Sequence, residues 1–339
     1  MKAILLSVFM MGAALTADAQ ATVKVNFNKN DTTMYKEVVK LDMNLPMGQG
    51  NKKITITKNV RYVVLDKTAQ GYKIEYNVAD MVVDGDKDIA DQVQVAGNKY
   101  LKGAKMILQT NTDGKVEKIL NLDEVAAAGS KNAIADIEEQ YKKNPTLEQV
   151  LPKAKLMMAI SQQFEEKALI DNLNENTFLY YYGKDLKTNN KEDRTKQGIK
   201  FTSTYTVANN GGNTVVTTNL KDNMTESDVK KMMIDQMKKM GMGDDMTSQI
   251  DANWGQMKAM GMANISANGT DTNTFLPNGW LQTQTGKATT KMMGMEMKFD
   301  TQSETSPPLR PPGNQQFPFQ QAFAASGARF SHHSTCSVR

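Results

Sequence analysis

Apolar and polar residues alternate one by one through much of this chain, and that period limits what it can fold into. Successive side chains of a strand point to opposite faces, so a period of two marks strands with one dry face and one wet face. Val23-Lys24-Val25-Asn26-Phe27 alternates strictly, and residues 35–43 form a longer strand. Residues 54–65 read as a third strand, 66–71 as a turn and 72–78 as the returning strand. Residues 105–110 and 116–120 read as a hairpin around the turn at 111–114. The pattern resumes after Asn176 at 178–182, 200–207, 214–218, 270–275, 279–284 and 289–300.

Two blocks follow a helical period instead. Ile134, Ile137 and Tyr141 share one face between 130 and 143, and Asn144-Pro145 breaks that helix. Thr146-Leu147-Glu148-Gln149 has the spacing of a capping box, and Leu156, Ile160, Phe164 and Ala168 continue a stripe. The second block spans 225–261 and opens on Thr225-Glu226-Ser227-Asp228, another capping spacing. Val229, Met233, Met237 and Met240 form its stripe; Ile250, Trp254 and Met257 form the next one after Gly241-Met242-Gly243. Helices grouped between runs of antiparallel strands predict an α+β fold. The expected architecture is one curved, half-barrel-like antiparallel sheet with two helical inserts packed on one face. Residues 20–305 make a single domain, with 20–175 and 176–305 as two strand-then-helix halves.

The ends differ from this body. Met1-Lys2, the apolar run 3–15 and the small-residue site Ala17-Asp18-Ala19 have the order of a cleavable signal peptide over 1–19. The apolar run is shorter than the roughly 20 residues a membrane span needs. The expectation is a secreted, soluble protein of the periplasm or cell surface, cleaved near Ala19 and without a transmembrane segment. Residues 307–339 hold five of the nine prolines, both histidines and the one cysteine. That shift in composition marks 306–339 as a disordered or non-native tail.

Composition then excludes chemistry. Residues 20–306 contain neither Cys nor His. That rules out a disulfide, a thiol nucleophile, a Cys/His zinc site and a Ser-His-Asp triad within the body. Non-catalytic roles are favoured, with Asp/Glu chemistry left open, and no cofactor motif is read. All but four of the 41 basic and all but one of the 37 acidic residues lie between 20 and 306, so the body is nearly neutral. Nucleic-acid binders carry a basic stripe, and none is expected here.

The signal ending Ala17-Asp18-Ala19-Gln20, the hairpin Thr112-Asp113-Gly114-Lys115-Val116 and the closing Leu276-Pro277-Asn278-Gly279-Trp280-Leu281 resemble uncharacterised secreted proteins of Bacteroidota. More distantly, the layout is similar to the half-barrel of periplasmic lipoprotein carriers of the LolA kind. The resemblance implies an envelope location and brings no catalytic residues.

Fourteen of the 24 methionines lie between Met224 and Met297. Flexible thioether side chains suit varied apolar ligands. The expected ligand groove therefore uses Met233, Met237, Met240, Trp254, Met257, Met260 and Trp280, and its partner is an apolar small molecule or lipid. A second reading takes the M-x-M spacings of Met240/Met242, Met260/Met262 and Met293/Met295/Met297 as soft ligands for Cu(I). A third is a structural or adhesion module with a protein partner in the envelope. Asp84-Gly85-Asp86-Lys87-Asp88 alternates carboxylates like a calcium loop, but Ile89 and Val95 stand where an EF-hand needs Gly and Glu, so it reads as a solvated turn.

Overall fold

The computed structural model describes residues 19–45, 50–100, 102–146, 148, 152–196, 199–239, 244–259, 265–292 and 295–306. The expected signal peptide and the 306–339 tail fall almost wholly outside this set. The fold is α+β. Among the described residues, eleven strands form one open antiparallel sheet, and two more form a small ribbon. In chain order the strands are β1 (Gln20–Thr22), β2 (Thr32–Leu45), β3 (Gly50–Thr68), β4 (Gly71–Gly85), β5 (Lys105–Thr110), β6 (Val116–Ile119) and β7 (Asp185–Lys187). Then come β8 (Lys191–Lys196), β9 (Ile199–Asn210), β10 (Asn213–Asp222), β11 (Ile265–Phe275), β12 (Leu281–Met292) and β13 (Met295–Ser306). The large sheet runs β6-β5-β4-β3-β2-β13-β12-β11-β10-β9-β8, and β1 pairs with β7. The last strand thus pairs with β2 and joins the two halves of the chain.

Six α-helices occur among the described residues: α1 (Lys87–Tyr100), α2 (Leu122–Lys143), α3 (Lys153–Gln163), α4 (Glu166–Asn176), α5 (Glu226–Lys239) and α6 (Asp244–Ala259). None is long and apolar enough to cross a membrane. The Thr225 capping box forms as its spacing implies. Asp228 N donates to Thr225 Oγ1 at 3.2 Å, and Thr225 N returns a bond to Asp228 Oδ2 at 3.0 Å.

The sheet is strongly curled. Laid flat, eleven strands at about 4.8 Å spacing would separate β6 from β8 by roughly 48 Å. Yet Lys115, next to β6, donates to the Tyr180 carbonyl at 2.7 Å, and the Tyr180 hydroxyl donates to Glu192 of β8 at 2.7 Å. Both edges therefore close on the same residue. Helix α4 stands in the remaining gap. Asn174 exchanges two hydrogen bonds with the Val116 main chain at 3.0 and 2.8 Å, and the Glu166 carboxylate accepts from Ile119 N at 2.9 Å. On the other side, Arg194 of β8 donates to the Glu175 carbonyl at 3.4 Å.

Exposed strand edges invite foreign pairing, and carboxamides cover them here. Gln94 of α1 accepts from Val83 N and donates to the Met81 carbonyl, along the part of β4 that β5 leaves unpaired. Asn121 does the same for Ile107 N and the Lys105 carbonyl of β5. Each amide presents one acceptor and one donor, as a neighbouring strand would. The β8 edge carries Lys191, Glu192, Asp193, Arg194 and Lys196, a charged row that resists pairing.

Inside the curl sits an aromatic plug. Phe178 to Tyr182 are all buried, and Phe178–Tyr181 form a 3-10 turn. Phe178 meets Tyr35 and Tyr62 at 5.3 and 5.6 Å between ring centres, and Tyr182 meets Phe27 and Phe275. Trp280 stacks on Phe27 at 3.9 Å. A smaller cluster of Val229, Met232, Met233, Ile250 and Ile265 holds α5 and α6 against the start of β11.

Several expectations need correction. Residues 178–182 are not a strand: all five side chains are buried, whereas a strand with one wet face buries every second one. Residues 23–27 bury Val23 and Phe27 alternately but join no ladder beyond a bridge from Val23 to Tyr182. Alternation there reports burial, not strand pairing. The carboxylates at 84–91 lead into and begin helix α1, a helical element beyond the two blocks expected, where Asp86, Asp88 and Asp91 bind Lys53 N, Lys52 and Lys87. The stripe from Leu156 to Ala168 is cut into α3 and α4. Residues 289–300 are two strands of a hairpin, with Met292 opposite Met295. The strand expected to end at 65 continues to Thr68.

Phe178→Ala is expected to lower unfolding stability by about 3–5 kcal/mol, the range for truncating a buried aromatic. Met158→Ala, at an exposed methionine, is expected to change it little. Urea unfolding followed by far-UV circular dichroism checks both.

Candidate functional site

Small residues on the core face of β11 and β12 make room for a cavity. Directly paired residues of antiparallel strands share a face. One such row runs Ser203, Leu220, Gly269, Ala288, Phe299, Leu41 and Ile54 across β9 to β3. Gly269 and Ala288 sit mid-row, and Gly286 lies in the next row beside Asp271. A side chain at Gly286 would meet Asp271 Oδ1 at 2.9 Å. The resulting cavity is about 310 Å³ and lies between this floor and the plug. That is at the small end of the roughly 300–1,000 Å³ of ligand pockets. Ile199, Phe201, Leu220, Ala267 and Ala288 give it apolar walls, and Tyr180 and Tyr181 form its plug side.

Thr177, Thr218, Asn268, Gln284 and Thr290 also line it, and charged groups mark its ends. Asp271 is largely buried and accepts from Gln284 Nε2 at 3.1 Å and from the Tyr181 hydroxyl at 3.3 Å; Asn273 donates to it as well. Burial raises its carboxyl above the ordinary aspartate range, against the pull of those donors. At the other end stand Arg194 and the exposed Glu175.

Arg194 belongs to a charged seam outside the cavity, where the curled sheet's edges approach. Lys115, Lys184 and Arg194 gather there around Tyr180. Lys184 Nζ and the Arg194 guanidinium carbon each lie 3.7 Å from the centre of the Tyr180 ring, and Lys115 Nζ lies at 5.6 Å. Cations over an aromatic face are attracted by the ring's quadrupole. Lys115 also donates to the Leu179 carbonyl at 2.6 Å, so it ties the plug to β6. Lys184 pairs with both oxygens of Glu192 at 2.9 and 3.0 Å. The Tyr180 and Tyr205 hydroxyls lie 2.7 Å apart and approach the same Glu192 oxygen at 2.7 and 2.6 Å, so two protons serve three short contacts.

These contacts set the charges. Burial raises the Glu192 carboxyl, but hydrogen bonds from Tyr205, Tyr180 and Lys184 outweigh it and bring it to about 2. Burial, together with the bond to Glu192, pushes Tyr205 up to about 12. Burial, with Lys184 and Arg194 close by, brings the Lys115 ammonium down to about 8. A second hollow of about 310 Å³ opens at the seam, and Glu175, Tyr180 and Arg194 line both it and the apolar cavity.

Of the residues expected to form the groove, Met233, Trp254, Met257 and Trp280 lie elsewhere. Met233 is buried in the smaller cluster, with Trp254 and Met257 packed on it, and Trp280 is in the main core. Met237 lies in α5, and Met240 and Met260 fall outside the described residues. Met233, Trp254, Met257 and Trp280 do not line the cavity. Of the M-x-M residues, Met242, Met262 and Met293 also lie outside the described residues, while Met295 and Met297 sit on β13, with Met297 opposite Met43. Among the described residues no group of three or more His, Cys, Asp or Glu is placed to hold a metal. Reasoning on helical stripes missed Tyr180, Arg194 and Asp271. Signals point to the first two, the unbroken run Phe178-Leu179-Tyr180-Tyr181-Tyr182 and Arg194 as one of two arginines between 20 and 306, but none points to Asp271.

Comparison with protein-family models and with curated proteins returns no match for the chain.

Arg194→Gln removes one of the cations that suppress Lys115, so the Lys115 pKa is expected to rise from about 8. Titration of its side-chain signal by heteronuclear NMR reads this directly. An unchanged value means the two groups do not share the seam.

Proposed function

We propose that this chain is exported, released near Ala19, and acts without catalysis as an envelope binding or carrier protein for an apolar ligand such as a lipid. The observation that carries this reading is the apolar cavity on the core face of the curled sheet, lined by Ala267 and Ala288, with Gly269 paired to Ala288 and Gly286 paired to Asp271. Close-packed interiors leave few voids of this size, and small residues in mid-strand weaken a sheet unless something approaches them closely. The floor continues past the cavity. Phe299 and Met297 of β13, Leu41 and Met43 of β2 and Ile56 of β3 lie on the same face and are only half-buried. A long apolar chain crossing the strands would find apolar contact along the whole row.

Two further observations fit. The first strand starts at Gln20, directly after the expected cleavage site, and pairs with β7. A curled, open antiparallel sheet with helices on its core face also matches the half-barrel layout of lipoprotein carriers. The Met-rich helices α5 and α6 take a supporting part in this reading, since Met233 and Trp254 pack with Ile199, which also lines the cavity.

Displacement of a fluorescent fatty-acid probe tests the proposal. Wild-type protein is expected to bind the probe, and Ala288→Trp, which fills the cavity, is expected to weaken binding at least tenfold with little change in Tm. No binding by the wild type, or equal binding by the filled variant, overturns it.

A further inference from the structure

We infer that the ligand is an amphipath with one anionic head, a carboxylate or phosphate, and that Arg194 and Lys184 at the seam receive this head while the tail enters the apolar cavity. This inference rests on the carrier reading above and names the ligand class for that same site.

The argument starts from charge. Three cations, Lys115, Lys184 and Arg194, face the seam hollow together with two carboxylates, Glu192 and Glu175. Only one ion pair, between Lys184 and Glu192, joins members of this group. Arg194 lies over the Tyr180 ring at 3.7 Å and near the Phe201 ring at 5.5 Å, contacts made by its faces, and its N–H groups make a single long bond to the Glu175 carbonyl. A guanidinium carries five N–H donors arranged as a fork that matches a carboxylate or phosphate. Most of that fork is thus available to an anion. Lys184 uses two contacts on Glu192 and retains a third proton.

Position supplies the second part. Arg194, Tyr180 and Glu175 line both the charged hollow and the apolar cavity. A ligand bonded to Arg194 is therefore already at the cavity's edge. From there the row of Leu220, Gly269, Ala288 and Phe299 leads across the strands. From β8 to β13 is five strand spacings, roughly 24 Å along the curve. A compact anion would leave this path empty, and a neutral lipid would leave the cations unused.

The seam also disfavours a cationic head. It would meet a net positive group, and the one strongly acidic carboxylate, Glu192, is already held by two tyrosines and Lys184.

Isothermal titration with palmitate, hexadecanol and inorganic phosphate separates the possibilities. Wild-type protein is expected to bind palmitate at least tenfold more tightly than hexadecanol, and phosphate far more weakly than either. Arg194→Gln is expected to abolish the preference for palmitate over hexadecanol, and Lys184→Gln to reduce it. If either variant fails to fold, the wild type still decides. The Lys115 signal is expected to shift toward its charged form when palmitate binds and to stay put with hexadecanol. Equal binding of palmitate and hexadecanol, or phosphate binding as tightly as palmitate, overturns this inference and spares the carrier reading. Failure of every tailed probe to bind overturns both.

Discussion

The aromatic plug at 178–182 is the interaction on which the rest depends. An open antiparallel sheet of eleven strands has more apolar face than a single layer of short helices can cover. Curling the sheet around Phe178, Tyr181 and Tyr182 buries that face against itself and against the plug. The plug also carries its own polar anchors. The Tyr182 hydroxyl donates to the Gly279 carbonyl at 2.8 Å, and the Tyr181 hydroxyl lies 2.9 Å from Thr218 Oγ1. Buried hydroxyls need such partners, and here they sit on β10 and on the turn between β11 and β12.

Curling creates a seam, and the seam sets the chemistry. A closed barrel would have no edges; this sheet keeps two, β6 and β8, and places α4 between them. One edge is satisfied by side-chain amide and carboxylate groups, the other by charge. The residues that discourage strand pairing on β8, among them Glu192 and Arg194, are the same residues that crowd around Tyr180. A device that protects an edge has thereby concentrated charge at the mouth of an apolar cavity.

The cavity itself is a local failure to fill space. The row that carries Leu220, Phe299 and Leu41 has only Gly269 and Ala288 on β11 and β12, and the neighbouring rows add Ala267 and Gly286. The cluster of Val229, Met232, Met233 and Ile250 holds helices α5 and α6 against Ile265 and Ile199, and Ile199 also lines the cavity. Cover on both sides and small residues beneath leave the hollow.

The sequence by itself determined the fold class and most strands, because side-chain period is a local property that burial imposes on every second residue. It also determined the Thr225–Asp228 cap, a bond between near neighbours, and the absence of Cys and His from the body. It did not determine which apolar residues meet. Trp280 and Met233 read as parts of one groove but belong to separate clusters, because strand order places the 276–281 turn against Phe27 and far from α5. Alternation at 23–27 gave no sign that the segment lacks a ladder, since burial and pairing leave the same pattern. Lys115, Lys184 and Arg194 are scattered over 80 positions of ordinary, charged sequence. Only the curl of the sheet, a long-range consequence of packing around the plug, brings them to one tyrosine.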